Sequence, residues 1–178
     1  AALEDHQPVA GILGSPGYGK GWLFYAVAGE AYRVPLAGGA PESITVSQRD
    51  GTDEWLVVES VESKHANHKL MAQVYTDAGF TAPTVRRTDG QDKYGMVACG
   101  DADLYLRLHP GSDYVEKVWD HAAGVAVIQA AGGVVTDGYG NALDFSHGSR
   151  LSHNKSVVVS NGRCHDALIA ALAPYHPR

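Results

Sequence analysis

The sequence predicts a mixed α/β fold (α+β in its arrangement): a run of antiparallel strands followed by a layered α-β-α sandwich. Three observations predict it. Residues 1–60 are strand and turn chemistry with no helical period. From about residue 55, strands alternate with helices, the pattern of α/β layers. The stretch from Val118 to Asp137 reads as one buried helix, a glycine stop and one strand. The division falls between residues 1–54, antiparallel strands, and residues 55–178, an α/β lobe. At 178 residues, the chain is long enough for a substantial core.

In order, Val9 to Leu13 is a short strand. Trp22 to Ala28 is a second, turned by Gly29-Glu30 into the return strand Ala31 to Pro35. Another short strand is expected at Ile44-Thr45-Val46. Trp55 to Ser60 opens the alternation, followed by a helix from Asn67 to Gly79 that buries Leu70, Met71, Val74, Tyr75 and Ala78. Thr84 to Arg87 is a strand, and Gln91 to Cys99 a helix stopped by Gly100. Leu104, Leu106 and Leu108 alternate with Asp103, Tyr105 and Arg107, which predicts a half-buried strand. After the helix and strand of 118–137 comes a polar loop, Gly138 to Lys155. Val157 to Val159 is a central strand, and Asn161 is expected to cap a last helix from Arg163 to Leu172.

Composition narrows the function classes. The hydrophobic fraction is 44%, the charged fraction 19% and the net charge −6, which argues against a nonspecific nucleic-acid binder. No apolar run approaches membrane-spanning length and no secretory signal is visible. Cys99 and Cys164 read as reduced buried thiols, not as a disulfide framework or a metal knuckle. These features imply an intracellular protein, cytoplasmic by default, with a plastid or mitochondrial address left open. The stretch Gly14-Ser15-Pro16-Gly17-Tyr18-Gly19-Lys20 begins like a phosphate-binding loop. Gly21 stands where that motif needs Ser or Thr, and a strand follows where it needs a helix, so a plain hairpin loop is expected.

Asp120 opens the helix that is apolar nearly all round. It reads either as an N-cap carboxylate or as a ligand for a hard cation such as Mg²⁺. His65 and His68, in Lys64-His65-Ala66-Asn67-His68-Lys69, read as a solvated basic turn or as an anion site at a helix start. Lys93 follows a turn at a helix start, and Arg107 lies on the polar face of its strand. Each alone is an ordinary surface cation. With His65 they stand at the ends of consecutive α/β units, where ligands bind in such sheets, and a phosphorylated ligand suits them.

Trp119-Asp120-His121-Ala122-Ala123-Gly124, followed by Ala131-Gly132-Gly133-Val134-Val135-Thr136-Asp137, resembles the C-terminal signature of the lithium-sensitive, magnesium-dependent inositol monophosphatase superfamily. Val61 to His68, Asp89-Gly90-Gln91-Asp92-Lys93-Tyr94, Ala102 to Leu108 and Tyr114 to His121 are similar to its 3'(2'),5'-bisphosphate nucleotidase branch. The resemblance covers essentially the whole chain. It implies a phosphatase of sulfur assimilation that removes the 3'-phosphate from 3'-phosphoadenosine 5'-phosphate or 3'-phosphoadenylyl sulfate. It also implies that Asp120 is a catalytic metal ligand that touches substrate, and that His65, Lys93, Arg107 and the Gly90 turn hold the nucleotide. Gly90 stands where the branch has Ser, which removes one side-chain hydrogen bond; Gln129-Ala130-Ala131 stands where Glu-Ala is usual.

The family's Asp-Pro-Ile-Asp-Gly-Thr motif and Glu-Glu pair, which supply most metal ligands, do not occur in the sequence. Ala1 to Asp5 resembles the strand that begins shortly after that motif. The resemblance therefore implies the C-terminal half of the enzyme, inactive alone, with residues 1–54 completing the sheet of an N-terminal lobe carried by a lost segment or a partner chain. Two alternatives stay open: an inositol-phosphate phosphatase, and a non-catalytic structural subunit derived from the family.

Overall fold

A computed structural model describes residues 1–51, 54–62, 67–109 and 113–176. Their strands form two five-stranded sheets. The first is an antiparallel meander of β1 (Ala2–Glu4), β2 (Gln7–Ser15), β3 (Trp22–Val27), β4 (Glu30–Pro35) and β5 (Glu42–Ser43). The loop after Ser15 simply carries β2 into β3, as its glycines predict, and Lys20 Nζ lies 4.6 Å from the centre of the Trp22 ring. The strand expected at Ile44–Val46 does not form. Ile44 and Val46 are instead buried as anchors, donating their N–H groups to the Ala31 and Ala131 carbonyls. The alternation of Ile44 and Val46 around Thr45 is a packing signal here, not a ladder.

The second sheet has the order β7 (Thr84–Arg87), β6 (Leu56–Glu59), β8 (Leu104–Arg107), β10 (Val157–Ser160), β9 (Val134–Thr136). β6 runs parallel to both β7 and β8, whereas β10 is antiparallel to β8 and β9. Helices cover both faces: α2 (Asp92–Ala98) and α3 (Val118–Ala130) one side, α1 (His68–Asp77) and α4 (His165–Leu172) the other. The period of two sorts alternate residues into two cores. Val58, Tyr105, Val157 and Val159 pack with α2 and α3, while Val57, Leu104, Leu106 and Val158 pack with α1 and α4. β8 is therefore buried on both faces, not half-buried as its alternation suggested. Tyr105 fills the core beneath α2 and α3, and Asp103 is fully buried, accepting from Arg49 Nε at 2.8 Å, Leu56 N at 2.7 Å and the Ser47 hydroxyl.

The meander packs on the outer side of α2 and α3, adding a layer to the sandwich. The approach is close enough to require glycine. A Cβ at Gly11 would lie 2.5 Å from the Ala123 carbonyl oxygen, and one at Gly95 of α2 would lie 2.5 Å from the Phe24 ring of β3. α3 thus sits between the two sheets, which explains why His121 to Ile128 are all buried and why its sequence shows no polar face. Gly132, at φ 86°, ends it in the left-handed conformation and β9 follows.

Two helix starts differ from expectation. α3 begins at Val118 with extended Lys117 as its cap, so Asp120 is the third residue of the helix and not its N-cap. The start is set from outside. Lys117 bridges to Arg150, Val118 N donates to Ser149 O, and Leu151 N donates to Glu116 O. α4 is preceded by Cys164, and Asn161 instead makes a local turn, accepting from Arg163 N at 3.0 Å while its amide donates to Ser47 Oγ at 2.9 Å. Both cysteines are free thiols, Cys164 buried and Cys99 half-buried. Among the described residues no helix is long and apolar enough to cross a membrane.

Candidate active site

The parallel strands β6, β7 and β8 all point their carboxyl ends to one edge of the sheet, and the first turns of α2 and α3 meet there. In open α/β sheets this edge is where ligands bind, because strand ends and helix N-termini leave backbone groups facing a crevice. A cleft of about 350 Å³ occupies the position, lined among others by Gly90, Lys93, Tyr105, Arg107, Tyr114 and Asp120. Four of the residues singled out from sequence (Gly90, Lys93, Arg107 and Asp120) are thus brought together. His65 lies outside the described residues. Its neighbour His68, the first residue of α1, is held by a 3.0 Å contact from Nε2 to Ser60 O and lies 3.7 Å from the buried Glu59 carboxylate.

Lys93 enters the cleft from the first turn of α2. It is buried, and its ammonium donates to Thr88 O at 3.1 Å and Gly90 O at 2.8 Å. An ammonium has three N–H donors, so one is left for a further acceptor. The turn it staples contains Gly90 at φ 68°, the left-handed conformation that glycine adopts at no steric cost. Burial pushes the Lys93 pKa down to about 8, with the Asp89 charge opposing the shift and the Arg107 charge adding to it.

Arg107 ends β8 and is held in place from behind. Its Nε donates to Glu116 Oε1 at 2.8 Å and its NH2 group donates to the Tyr114 hydroxyl at 3.1 Å. The same NH2 group lies 3.9 Å from Asp120 Oδ2. Glu116 is the hub. Its Oε2 meets His121 Nε2 at 2.9 Å, and the other ring nitrogen of His121 is hydrogen-bonded to the Tyr94 hydroxyl at 2.7 Å. His109 Nε2 lies 3.1 Å from Oε1. Burial alone would raise the Glu116 pKa, yet the two histidines and Arg107 outweigh it and hold the carboxyl well below the usual range. Arg107 in turn stays charged against its burial, because Tyr105 and Glu116 lie beside it. The result is a buried line of polar groups from Tyr94 through His121 and Glu116 to Arg107, ending beside Asp120.

Asp120 is 36% exposed on its side chain, so its carboxylate faces the cleft and solvent. One hard oxygen donor open to water suits one coordination position of Mg²⁺, which keeps most of its waters. It does not make a complete metal site. Among the described residues, the one group of three or more His, Cys, Asp or Glu with ligand atoms within 4.8 Å of one another lies elsewhere, at Asp144, His147 and His153.

Sequence reasoning did not single out Tyr105, Tyr114, Glu116 or His121 as site residues. A signal existed for the last two. A polar His inside an otherwise apolar helix needs a buried partner, and Glu116 precedes that helix. Tyr105 and Tyr114 carry no such signal, since tyrosines on a strand and in a loop are ordinary.

The sequence matches the Inositol monophosphatase family over residues 1–177. It is 42% identical over 177 residues to a 3'(2'),5'-bisphosphate nucleotidase of Emericella nidulans, a match covering 96% of this chain and 50% of that protein. A 3'(2'),5'-bisphosphate nucleotidase of Dictyostelium discoideum is 36% identical over 181 residues, covering 97% of this chain and 54% of that protein. The chain thus spans about half the length of these relatives. An inositol monophosphatase structure from Zymomonas mobilis superposes with a TM-score of 0.70 at 18% identity, covering 96% of this chain and 59% of that one, and shares the fold. A family match along nearly the whole length, in a chain whose Asp120 lines the cleft, assigns this protein to the inositol monophosphatase family.

Proposed function

We propose that this chain is the nucleotide- and phosphate-binding lobe of a magnesium-dependent 3'(2'),5'-bisphosphate nucleotidase, acting on 3'-phosphoadenosine 5'-phosphate or 3'-phosphoadenylyl sulfate. The observation that carries the reading is one cleft in which the Lys93 ammonium, the Arg107 guanidinium and the Asp120 carboxylate face the same space. The names of the relatives from Emericella nidulans and Dictyostelium discoideum support the substrate class.

Each residue has a distinct task in this reading. Lys93 gives its remaining N–H to a phosphate oxygen. Arg107, fixed by Glu116 and Tyr114, adds a second cation in a set position, so little side-chain entropy is lost on binding. His65 and the Gly90 turn complete the nucleotide pocket. Asp120 holds one position of a Mg²⁺ ion. When bound, the metal neutralises charge on the transferred phosphoryl group and leaving oxygen. Phosphoryl transfer by metal ions needs several carboxylates to hold the ions and orient water, and Asp120 supplies one. We therefore assign the remaining ligands to chain outside these 178 residues, with residues 1–54 completing the sheet of the lobe that bears them and residues 55–178 forming the binding lobe.

Two assays test this. The 178-residue chain, given 3'-phosphoadenosine 5'-phosphate and Mg²⁺, releases no phosphate but binds the nucleotide in a calorimetric titration. Turnover by the chain alone refutes the assignment of ligands outside it. Preference for an inositol phosphate over the nucleotide refutes the substrate and favours a simple inositol phosphatase.

The pH dependence follows from Lys93. Its ammonium is charged below about pH 8 and loses its proton above, while a phosphate monoester is already mostly ionised by pH 7. Nucleotide affinity therefore falls as pH rises from 7 to 9, by up to about tenfold in the limit that the bound anion keeps Lys93 protonated. Lys93→Met binds more weakly at pH 7 and shows a flat profile over the same range. A wild-type affinity that is unchanged between the two pH values removes Lys93 from the phosphate site.

A further inference from the structure

We propose that Asp144, His147 and His153 form a surface site for a divalent first-row transition metal of the zinc class, on the loop between β9 and β10. His147 Nε2 and His153 Nδ1 approach the same carboxylate oxygen, Asp144 Oδ2, at 3.0 Å and 3.3 Å. Ligands about 2.0 Å from a tetrahedral zinc ion stand roughly 3.3 Å apart, so both imidazole–carboxylate distances match edges of such a site, and all three donor atoms lie within 4.8 Å of one another. The two imidazoles are also packed together, with ring centres 3.7 Å apart. Two protonated rings at that separation repel each other, whereas a metal takes both as neutral donors.

The carboxylate is oriented before any ion arrives. Asp144 Oδ1 accepts from Ser146 N at 2.9 Å and from the Ser146 hydroxyl at 2.6 Å, which leaves Oδ2 toward the histidines. Asp144 N donates to Asn154 Oδ1 at 2.7 Å, and the Asn154 amide donates to the buried Asp137 carboxylate at 3.0 Å. Hydrogen bonds of this kind behind a ligating carboxylate fix the first ligands of metal sites. His153 is 63% exposed on its side chain, so an ion has free access and a water can fill the fourth position.

Ligand chemistry separates this site from the Asp120 cleft. Two imidazoles and one carboxylate suit Zn²⁺, Co²⁺ or Ni²⁺, while Mg²⁺ prefers all-oxygen surroundings. The position also links it to the fold around the cleft. Ser149 and Leu151, between the two histidines in sequence, hold Val118 N and Glu116 O by backbone hydrogen bonds. An ion joining Asp144, His147 and His153 therefore clasps the loop that sets the start of α3. The proposal does not depend on the nucleotidase reading.

The test is a titration of tag-free protein with Co²⁺, read by visible absorption. One ion is expected per chain, with the intense bands of tetrahedral cobalt, displaced by Zn²⁺ and not by excess Mg²⁺. His147→Ala and His153→Ala each weaken cobalt binding by about tenfold or more, with unchanged circular dichroism. Should either variant fold poorly, the imidazole proton resonances of the unmodified protein serve instead, with His147 and His153 shifting before the other histidines. No uptake, uptake unaffected by both substitutions, or displacement by Mg²⁺ overturns the site.

Discussion

In urea, Glu116→Ala unfolds with a stability lower than the parent by about 3–5 kcal/mol, the range for breaking a buried ion pair from one side. The reason is the number of groups that depend on this carboxylate. Both of its oxygens are engaged, Oε1 by Arg107 at 2.8 Å and Oε2 by His121 at 2.9 Å. Removing it takes the acceptor away from the Arg107 Nε–H and the partner away from His121 Nε2, both in the interior. Glu116→Gln keeps the shape and part of the hydrogen bonding, so its loss is smaller. The sign of the pH dependence follows as well. The folded pKa of Glu116 lies below the unfolded value of about 4.3, so its contribution is complete above that pH and disappears as pH falls further. Glu116→Ala consequently flattens the acid side of the stability curve. A loss under about 1 kcal/mol would show that the network is decoration on an apolar core.

Asp120→Asn in an active enzyme containing this lobe lowers turnover by about 10³-fold or more, equivalent to about 4 kcal/mol of transition-state stabilisation. The fold is left intact. Asp120 is not the cap of α3, and it approaches the Arg107 NH2 group only to 3.9 Å. Losing its charge in the first helical turn costs about 0.3–1 kcal/mol through the helix dipole. The split between a large kinetic effect and a small stability effect distinguishes a metal ligand from a structural carboxylate. Unfolding curves and phosphate release on the same preparations measure both. A near-native rate in the variant refutes the metal assignment.

The pair of predictions separates two kinds of residue in one site. Asp120 lines the cleft and, in the proposed function, acts on what enters it. Glu116 does not line the cleft; it holds Arg107 from behind and, in the proposed function, is a positioning residue for the phosphate-binding guanidinium. A variant at each tells whether the cleft's chemistry depends on the exposed group, on its support, or on both.

The order and type of most elements were written in local sequence. Strand–turn–strand chemistry around Gly29, the apolar period of Asn67 to Gly79, and the Gly132 stop after α3 each act over a few residues. The motif around Asp120 and the grouping of Lys93 and Arg107 at strand ends were legible for the same reason, since parallel strands joined by helices must present their carboxyl ends together. What tertiary structure alone decided depends on contacts between distant residues. Tyr105 reads as a polar-face residue of a half-exposed strand until α2 and α3 cover that face. Asp120 reads as a helix cap until Arg150 and Ser149 reach back and start the helix at Val118. The Tyr94–His121–Glu116–Arg107 line joins three elements of the chain, and no local period or turn rule encodes such a partnership. Burial on a second face and the pairing of buried charges are properties of the packed chain, because only packing removes the water that would otherwise satisfy each group by itself.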